Sequence, residues 1–94
     1  MILSFANAQA EAIFVGRSPG KGFPPELVRP ALRKLAMLDA AMTLQDLASP
    51  PGNRLEALKG SRAGQHAIRI NDQFRICFVW AGHGAEDVEI VDYH

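Results

Sequence analysis

The sequence predicts an α+β fold, with two amino-terminal helices packed on one face of a twisted, mainly antiparallel sheet of about four to five strands. Apolar residues recur at helical spacing in the first half of the chain and alternate with polar residues in the second half. The segment SPPGN at residues 49–53 is a strong breaker between these halves. A chain of 94 residues, 48% of them apolar, can bury one core, so we expect a single globular domain over residues 1–94.

The first half predicts a short edge strand over residues 2–5, followed by the two helices. Asn7 is positioned to cap the first helix, and Gly16 to end it. Two prolines open the second helix, in which Pro30 falls one turn after the start, so the regular helix is expected to begin after Pro30 or to kink there. Its apolar stripe consists of Leu27, Ala31, Leu35 and Leu38.

The second half predicts a meander whose strands cover residues 54–59, the region of residues 68–70, and residues 74–80 and 87–91. One face of the third of these strands is apolar and must lie against the helices, because nothing else in the chain can cover it. The opposite face carries Arg69 and Arg75 and is left open to a ligand. We therefore expect an open cationic sheet face that can receive an anion.

Cysteine usage and hydropathy predict the compartment. Cys77 is the only cysteine, so we expect no internal disulfide and a small buried thiol in a reducing environment. Residues 1–15 lack the basic start and the unbroken apolar run of an export signal. No stretch approaches the length of about 18 apolar residues that spans a bilayer. These features predict a cytoplasmic protein with no membrane partner.

The charges cancel in number but are segregated along the chain. Ten basic and ten acidic residues give a net charge of zero, which argues against autonomous nucleic-acid binding. However, residues 54–75 contain five basic and two acidic residues, a local charge of +3, whereas residues 76–94 contain four acidic residues and no Lys or Arg. A basic site beside an acidic rim fits this distribution, although solvated loop charges can also segregate by chance.

Three ordered segments carry a family resemblance: PGNRLEALKG at residues 51–60, IRINDQFRI at residues 68–76, and VDYH at residues 91–94. Together they closely resemble HigB-type toxins of the RelE-like superfamily. The first half agrees in layout and in LDAA at residues 38–41. The resemblance implies the RelE-like, microbial-RNase-type fold and ribosome-dependent cleavage of messenger RNA, which inhibits translation. The implied partners are the ribosome, messenger RNA and a neutralising helix-turn-helix antitoxin of the HigA type, with operator DNA contacted only through the toxin–antitoxin complex.

The resemblance also implies the site residues. The lysine of the Leu-Lys-Gly motif, the arginine of the strand motif and the terminal Asp-Tyr-His carry the family's catalytic site, and they correspond to Lys59, Arg75, Asp92, Tyr93 and His94. Further RNA contacts are expected from Arg54, Arg69 and Glu56. Glu56 is a departure, since some family members have a histidine three residues before the lysine. A carboxylate can accept a proton but cannot supply the positive charge of an imidazole.

Metal-free RNA cleavage uses the ribose 2′-hydroxyl as nucleophile and needs a base, cations for the extra negative charge, and an acid for the departing 5′-oxygen. Arg75 suits the phosphate oxygens through its planar fork, and Lys59 acts as a point charge. His94 is the better general acid or base, since imidazoles in general titrate near neutral pH. Asp92 can act as a base or orient a neighbour, and Tyr93 can stack on a base or hold a phosphate oxygen. The assignment among these three stays open. No grouping has metal-ligand spacing, so neither a metal nor another cofactor is expected.

Two alternatives remain. A ParE-like toxin shares the architecture but inhibits DNA gyrase by binding, and the terminal Asp-Tyr-His argues against it because a non-catalytic inhibitor needs no acid–base cluster. A regulatory module would act as a corepressor with its antitoxin on operator DNA. The zero net charge and the lack of a helix-turn-helix pattern make autonomous DNA binding a poor fit, although an antitoxin could supply that function.

Overall fold

The computed structural model describes residues 1–93, in which two α-helices pack on one face of a four-stranded antiparallel sheet. The predicted α+β fold is confirmed. The strands follow one another in space in chain order, so the sheet is a simple meander. The elements are α1 (Ala8–Phe14), α2 (Val28–Ala40), β1 (Glu56–Ala57), β2 (His66–Arg69), β3 (Phe74–Ala81) and β4 (Gly84–Asp92).

Local signals set the helix boundaries. The Ala10 backbone N–H donates to Asn7 Oδ1 over 3.0 Å, which is the predicted cap of α1. Gly16 follows that helix with φ +83°, a conformation that favours glycine. The helix α2 begins at Val28, so the expectation that it would begin after Pro30 was wrong. Pro30 lies in the first turn, where a backbone N–H has no partner within the helix and its loss is tolerated.

The core lies between the helices and the apolar face of the sheet. Ala31, Leu35 and Leu38 are fully buried, and Leu27 packs against them partly buried, which confirms the predicted stripe of α2. They meet side chains from the three longer strands: Ile68, Phe74, Ile76, Phe78, Val88 and Ile90. Since this face is covered, the sheet is left with one open face.

Two predicted strands differ from the observed ones. The strand expected over residues 54–59 is reduced to β1, because Arg54 adopts a left-handed conformation with φ +47°, which no extended strand can continue. Residues 2–5 form isolated parallel bridges, Ile2 to Ala85 and Phe5 to Val88, instead of a continuous strand. These bridges still cover the outer edge of β4, which a bare edge strand would expose to pairing with other chains.

The breaker segment is anchored to the helical layer through Asn53, the one polar side chain among residues 1–93 that is fully buried. Its Nδ2 donates to the Leu47 carbonyl over 3.2 Å, and its Oδ1 accepts a hydrogen bond from Lys34 Nζ of α2. Burial lowers the pKa of Lys34, and the nearby Arg33 lowers it further. This anchor holds the chain to the helical layer three residues before β1.

The register defines the open face. Glu56, Ala67, Cys77 and Glu89 lie side by side across the four strands. Arg69, Arg75 and Val91 form the neighbouring row. Side chains alternate along a strand, so both rows face away from the helices. No helix in residues 1–93 combines the length and apolar character needed to cross a membrane.

Candidate functional site

Arg75 stands at the centre of the open face and is held by two neighbours. Its Nη1 lies 3.4 Å from Glu56 Oε1 on β1, and its Cζ lies 4.6 Å from the centre of the Tyr93 ring, which follows β4. Arg75 Nε is buried and has no hydrogen-bond partner among residues 1–93. A guanidinium stacked on a ring and paired on one edge is oriented before any ligand arrives.

Two clefts meet at this arginine. The first cleft, of about 170 Å³, is lined by Arg54, Glu56, Ala67, Ile68, Arg69, Arg75 and Tyr93. The second cleft, of about 370 Å³, is lined by Glu56, Ala57, Leu58, Lys59, Arg62 and Arg75. Glu56 and Arg75 line both clefts. The two clefts therefore adjoin at the Glu56–Arg75 ion pair, and we call the two together the groove.

The first cleft gathers three arginines in spite of their mutual repulsion. Arg69 and Arg75 are directly opposite each other in the register of β2 and β3, an arrangement that like charges disfavour. Asp72 in the intervening turn forms an ion pair with Arg69 and offsets part of this repulsion. Arg54, whose own backbone is left-handed, lies two residues before β1 and also lines this cleft. The cleft is thus a preformed cationic surface of the kind that phosphate groups bind.

Tyr93 is fixed over Arg75 by hydrogen bonds to the turn between β2 and β3. Its Oη donates to the Asn71 carbonyl over 3.1 Å, and its backbone N–H donates to the Gln73 carbonyl over 3.0 Å. The residue keeps 37% of its surface exposed. An anchored aromatic side chain with an exposed surface can stack on a nucleobase at small entropic cost.

Asp92 is the last residue of β4 and pairs with Phe74 in the register, whereas Tyr93 follows the strand. Its Oδ2 accepts a hydrogen bond of 2.9 Å from Gln73 Nε2. Among the described residues, Asp92 lines neither of the two clefts. His94, the last of the predicted catalytic residues, lies outside the described residues.

Lys59 lines the second cleft together with Arg62, a residue that sequence reasoning did not single out. Arg62 Nη1 donates to Glu89 Oε1 over 2.6 Å and to Gln65 Oε1 over 2.9 Å. The hydrogen bond to Glu89 raises the pKa of Arg62. Arg62 was one of the five basic residues counted in residues 54–75. Its contact with Glu89 on β4 depends on the fold, because Arg62 lies in the loop after β1.

Cys77 forms part of the floor beneath these cations. It is fully buried, as predicted, but it lies on the open side of the sheet, in the row with Glu89. Burial raises the pKa of the Cys77 thiol, and the nearby Arg62 and Arg75 oppose that rise. A thiol that stays protonated at neutral pH is a poor nucleophile, so the geometry favours a packing role. Within residues 1–93, no cluster of His, Cys, Asp and Glu is arranged to hold a metal ion.

The fold and the site define a small α+β protein with an open, groove-like cationic sheet face. The chain belongs to the HigB-like toxins, since the family model described as the RelE-like toxin of the type II toxin-antitoxin system HigB matches residues 3–94. It is 38% identical over 80 residues to Toxin HigB-1 of Vibrio cholerae serotype O1, covering 85% of this chain and 84% of the relative. An uncharacterized protein of Haemophilus influenzae is 38% identical over 55 residues, covering 58% of this chain and 54% of that protein.

These comparisons confirm the resemblance drawn from the three sequence segments. The protein is a toxin of a type II toxin–antitoxin system, and a toxin of this kind has a cognate antitoxin as its partner.

Proposed function

We propose that this toxin is a metal-independent, ribosome-dependent endoribonuclease that cleaves messenger RNA and is neutralised by a helix-turn-helix antitoxin of the HigA type. The observation that carries the proposal is the position of Arg75, oriented by Glu56 and Tyr93 where two cationic clefts meet. A planar guanidinium on an open face can bind two oxygens of one phosphate. Operator DNA is contacted only through the toxin–antitoxin complex.

In the proposed reaction, the ribose 2′-oxygen forms a bond to the adjacent phosphorus, and the bond from phosphorus to the 5′-oxygen of the next nucleotide breaks. The products are a 2′,3′-cyclic phosphate and a free 5′-hydroxyl. Arg75 and Lys59 stabilise the negative charge that grows on the phosphate oxygens. Tyr93 stacks on a base beside the scissile phosphate, and Arg54 and Arg69 contact the flanking backbone.

Proton transfer is assigned to the end of the chain. His94 is proposed as a general acid or base, because an imidazole titrates near neutral pH. Asp92 is proposed to act with it as a base or by orienting the terminus. The second role is supported by Gln73, whose amide donates to Asp92 and whose carbonyl accepts from the Tyr93 N–H. Glu56 lies beside Arg75 and is a further carboxylate that can accept a proton.

The test of the nuclease uses Arg75→Ala. Removing one donor to the transition state lowers the cleavage rate by a factor on the order of 100. Arg33→Ala is the matched control, because Arg33 is exposed on α2. The readouts are growth arrest on expression, transcript 5′ ends within translated codons, and thermal unfolding to show that both variants fold. Unfolding of Arg75→Ala would assign this residue a structural role and remove it from the site.

Truncation of residues 92–94 separates the proposal from its alternatives. The nuclease is expected to lose both growth arrest and transcript cuts. Arrest that persists without cuts, with DNA gyrase inhibited, would support a ParE-like binder instead. Two results together would support a purely regulatory corepressor. The truncated toxin would still repress the operator together with its antitoxin, and the wild-type toxin would give no transcript cuts under any condition.

A further inference from the structure

We propose that the second cleft is a binding site for a second phosphate of the same RNA strand, adjacent to the phosphate held at Arg75, and that Arg62 is its principal ligand beside Lys59. The inference rests on the proposed function, since it assumes that an RNA backbone crosses Arg75. It adds a subsite and a residue that neither the sequence motifs nor the family resemblance assigns.

The charge of the second cleft matches an anion. Lys59, Arg62 and Arg75 supply three positive charges to its lining, against the one carboxylate of Glu56. That carboxylate contacts Arg75, so it does not offset the charge at the Lys59 end. Among the described lining residues, the remaining two are the uncharged Ala57 and Leu58. A small anion bound there meets three cations, and the two carboxylates near them, Glu56 and Glu89, are each paired with an arginine.

Arg62 is held ready for a ligand. Both hydrogen bonds that the structure gives to its side chain start from Nη1, one ending on Glu89 and the other on Gln65. Within residues 1–93 no hydrogen bond occupies the donors on Nη2 and Nε, so these donors can bind a ligand. The Arg62 side chain keeps 32% of its surface exposed, and the partner Glu89 is 22% exposed. Because the side chain is already anchored, phosphate binding has little rotamer entropy to remove.

The two clefts adjoin at the Glu56–Arg75 ion pair, because both residues line each of them. A strand whose phosphate binds Arg75 can therefore extend into both clefts. Tyr93 lies in the first cleft, where a base can stack. The next phosphate along the backbone then falls toward Lys59 and Arg62. Such a contact positions the strand without reading its sequence.

The test measures how the affinity for a single-stranded 2′-O-methyl oligonucleotide, which cannot be cleaved, depends on salt. Each phosphate that a protein neutralises on a single strand contributes about 0.7 to the slope of log affinity against log salt. We expect Arg62→Gln to reduce that slope by about 0.7, and Arg62→Lys to retain it. The control Arg33→Gln removes the same charge from an exposed position on α2 and leaves the slope unchanged.

The outcomes are distinguishable. A slope for Arg62→Gln equal to that of the wild type would overturn the second subsite and leave the proposed nuclease intact. A wild-type protein with no affinity for the oligonucleotide, and with no transcript cleavage in cells, would overturn the nuclease and the subsite together. Thermal unfolding checks each variant, and if Arg62→Gln is unfolded, the charge-removing Arg62→Met takes its place, for which an unchanged slope in the folded protein decides against a phosphate contact. If a polyglutamate peptide binds and its affinity depends on Arg62, whereas the RNA oligonucleotide does not bind, the cleft would be reassigned to an acidic protein segment.

Discussion

Replacement of Glu56 by Gln tests whether the central carboxylate competes with RNA phosphate for Arg75. The substitution removes the negative charge and keeps the side-chain volume. In the free protein Glu56 Oε1 lies 3.4 Å from Arg75 Nη1, so a phosphate that binds this arginine must displace the carboxylate or lie beside it. In either case the carboxylate opposes binding, and Glu56→Gln is expected to strengthen it.

The magnitude follows from the separation and the exposure of the pair. Coulomb's law gives about 1.2 kcal/mol for two unit charges 3.4 Å apart in bulk water. The Glu56 side chain is 59% exposed, so solvent screening and side-chain entropy reduce this to about 0.2–1 kcal/mol. Since 1.4 kcal/mol corresponds to a tenfold change, the affinity is expected to rise by about 1.4- to 5-fold.

The assay is fluorescence anisotropy with the non-cleavable 2′-O-methyl oligonucleotide at low salt, where the charge effect is largest. The control Glu26→Gln makes the same charge change at an exposed position in the turn before α2, and it separates the local effect from that of net charge. An equal rise in affinity in the two variants would show that the effect comes from the net charge and not from the position of Glu56. Weaker binding by Glu56→Gln would refute the reasoning and show that the orientation Glu56 gives to Arg75 outweighs the repulsion between its charge and the phosphate.

Two further predictions concern the framework of the site. Asn53→Ala leaves the Leu47 carbonyl without its buried donor and is expected to lower the free energy of unfolding, measured by urea denaturation, by about 1–3 kcal/mol. The control Gln45→Ala, at an exposed position, should change this free energy little. An equal loss in the control would contradict the anchoring role of Asn53. Because burial raises the pKa of Cys77, the native state holds the thiol proton more tightly than the unfolded state. The contribution of Cys77 to the free energy of unfolding is therefore complete below the ordinary thiol pKa of 9.0 and is lost as the pH rises above that value. Rapid alkylation of Cys77 in the folded protein at neutral pH would contradict its burial.

The sequence predicted those parts of the fold that local patterns encode. The Asn7 cap, the α2 stripe and the apolar face of β3 each depend on residues a few positions apart, and each is confirmed. The short length of β1 was not predictable, because nothing in the residue type of Arg54 marks a left-handed conformation. Arg62 was missed for a related reason, since its partner Glu89 is 27 residues away and the pair depends on where a loop crosses the sheet.

The same ion pairs explain how a chain of zero net charge can carry a cationic groove. Three arginines of the open face are each matched with a carboxylate from another part of the sheet or its turns: Arg75 with Glu56, Arg62 with Glu89, and Arg69 with Asp72. These carboxylates reduce the repulsion among the arginines in the free protein. An RNA phosphate must then displace a carboxylate or bind beside it, as proposed at Arg62, and in either case the carboxylate offsets part of the gain, so the net gain is small.

A groove of this design is expected to bind free RNA weakly. Affinity must then come from another source that holds the messenger in place, and a ribosome with a bound transcript supplies such a high local concentration. The balance of charges is therefore a physical reason to expect ribosome-dependent cleavage. The comparison that checks it is the cleavage rate of one messenger RNA, free and in a translating ribosome, by the wild type and by Glu56→Gln. Cleavage of free RNA as fast as ribosome-bound RNA would show that the paired arginines do not limit binding.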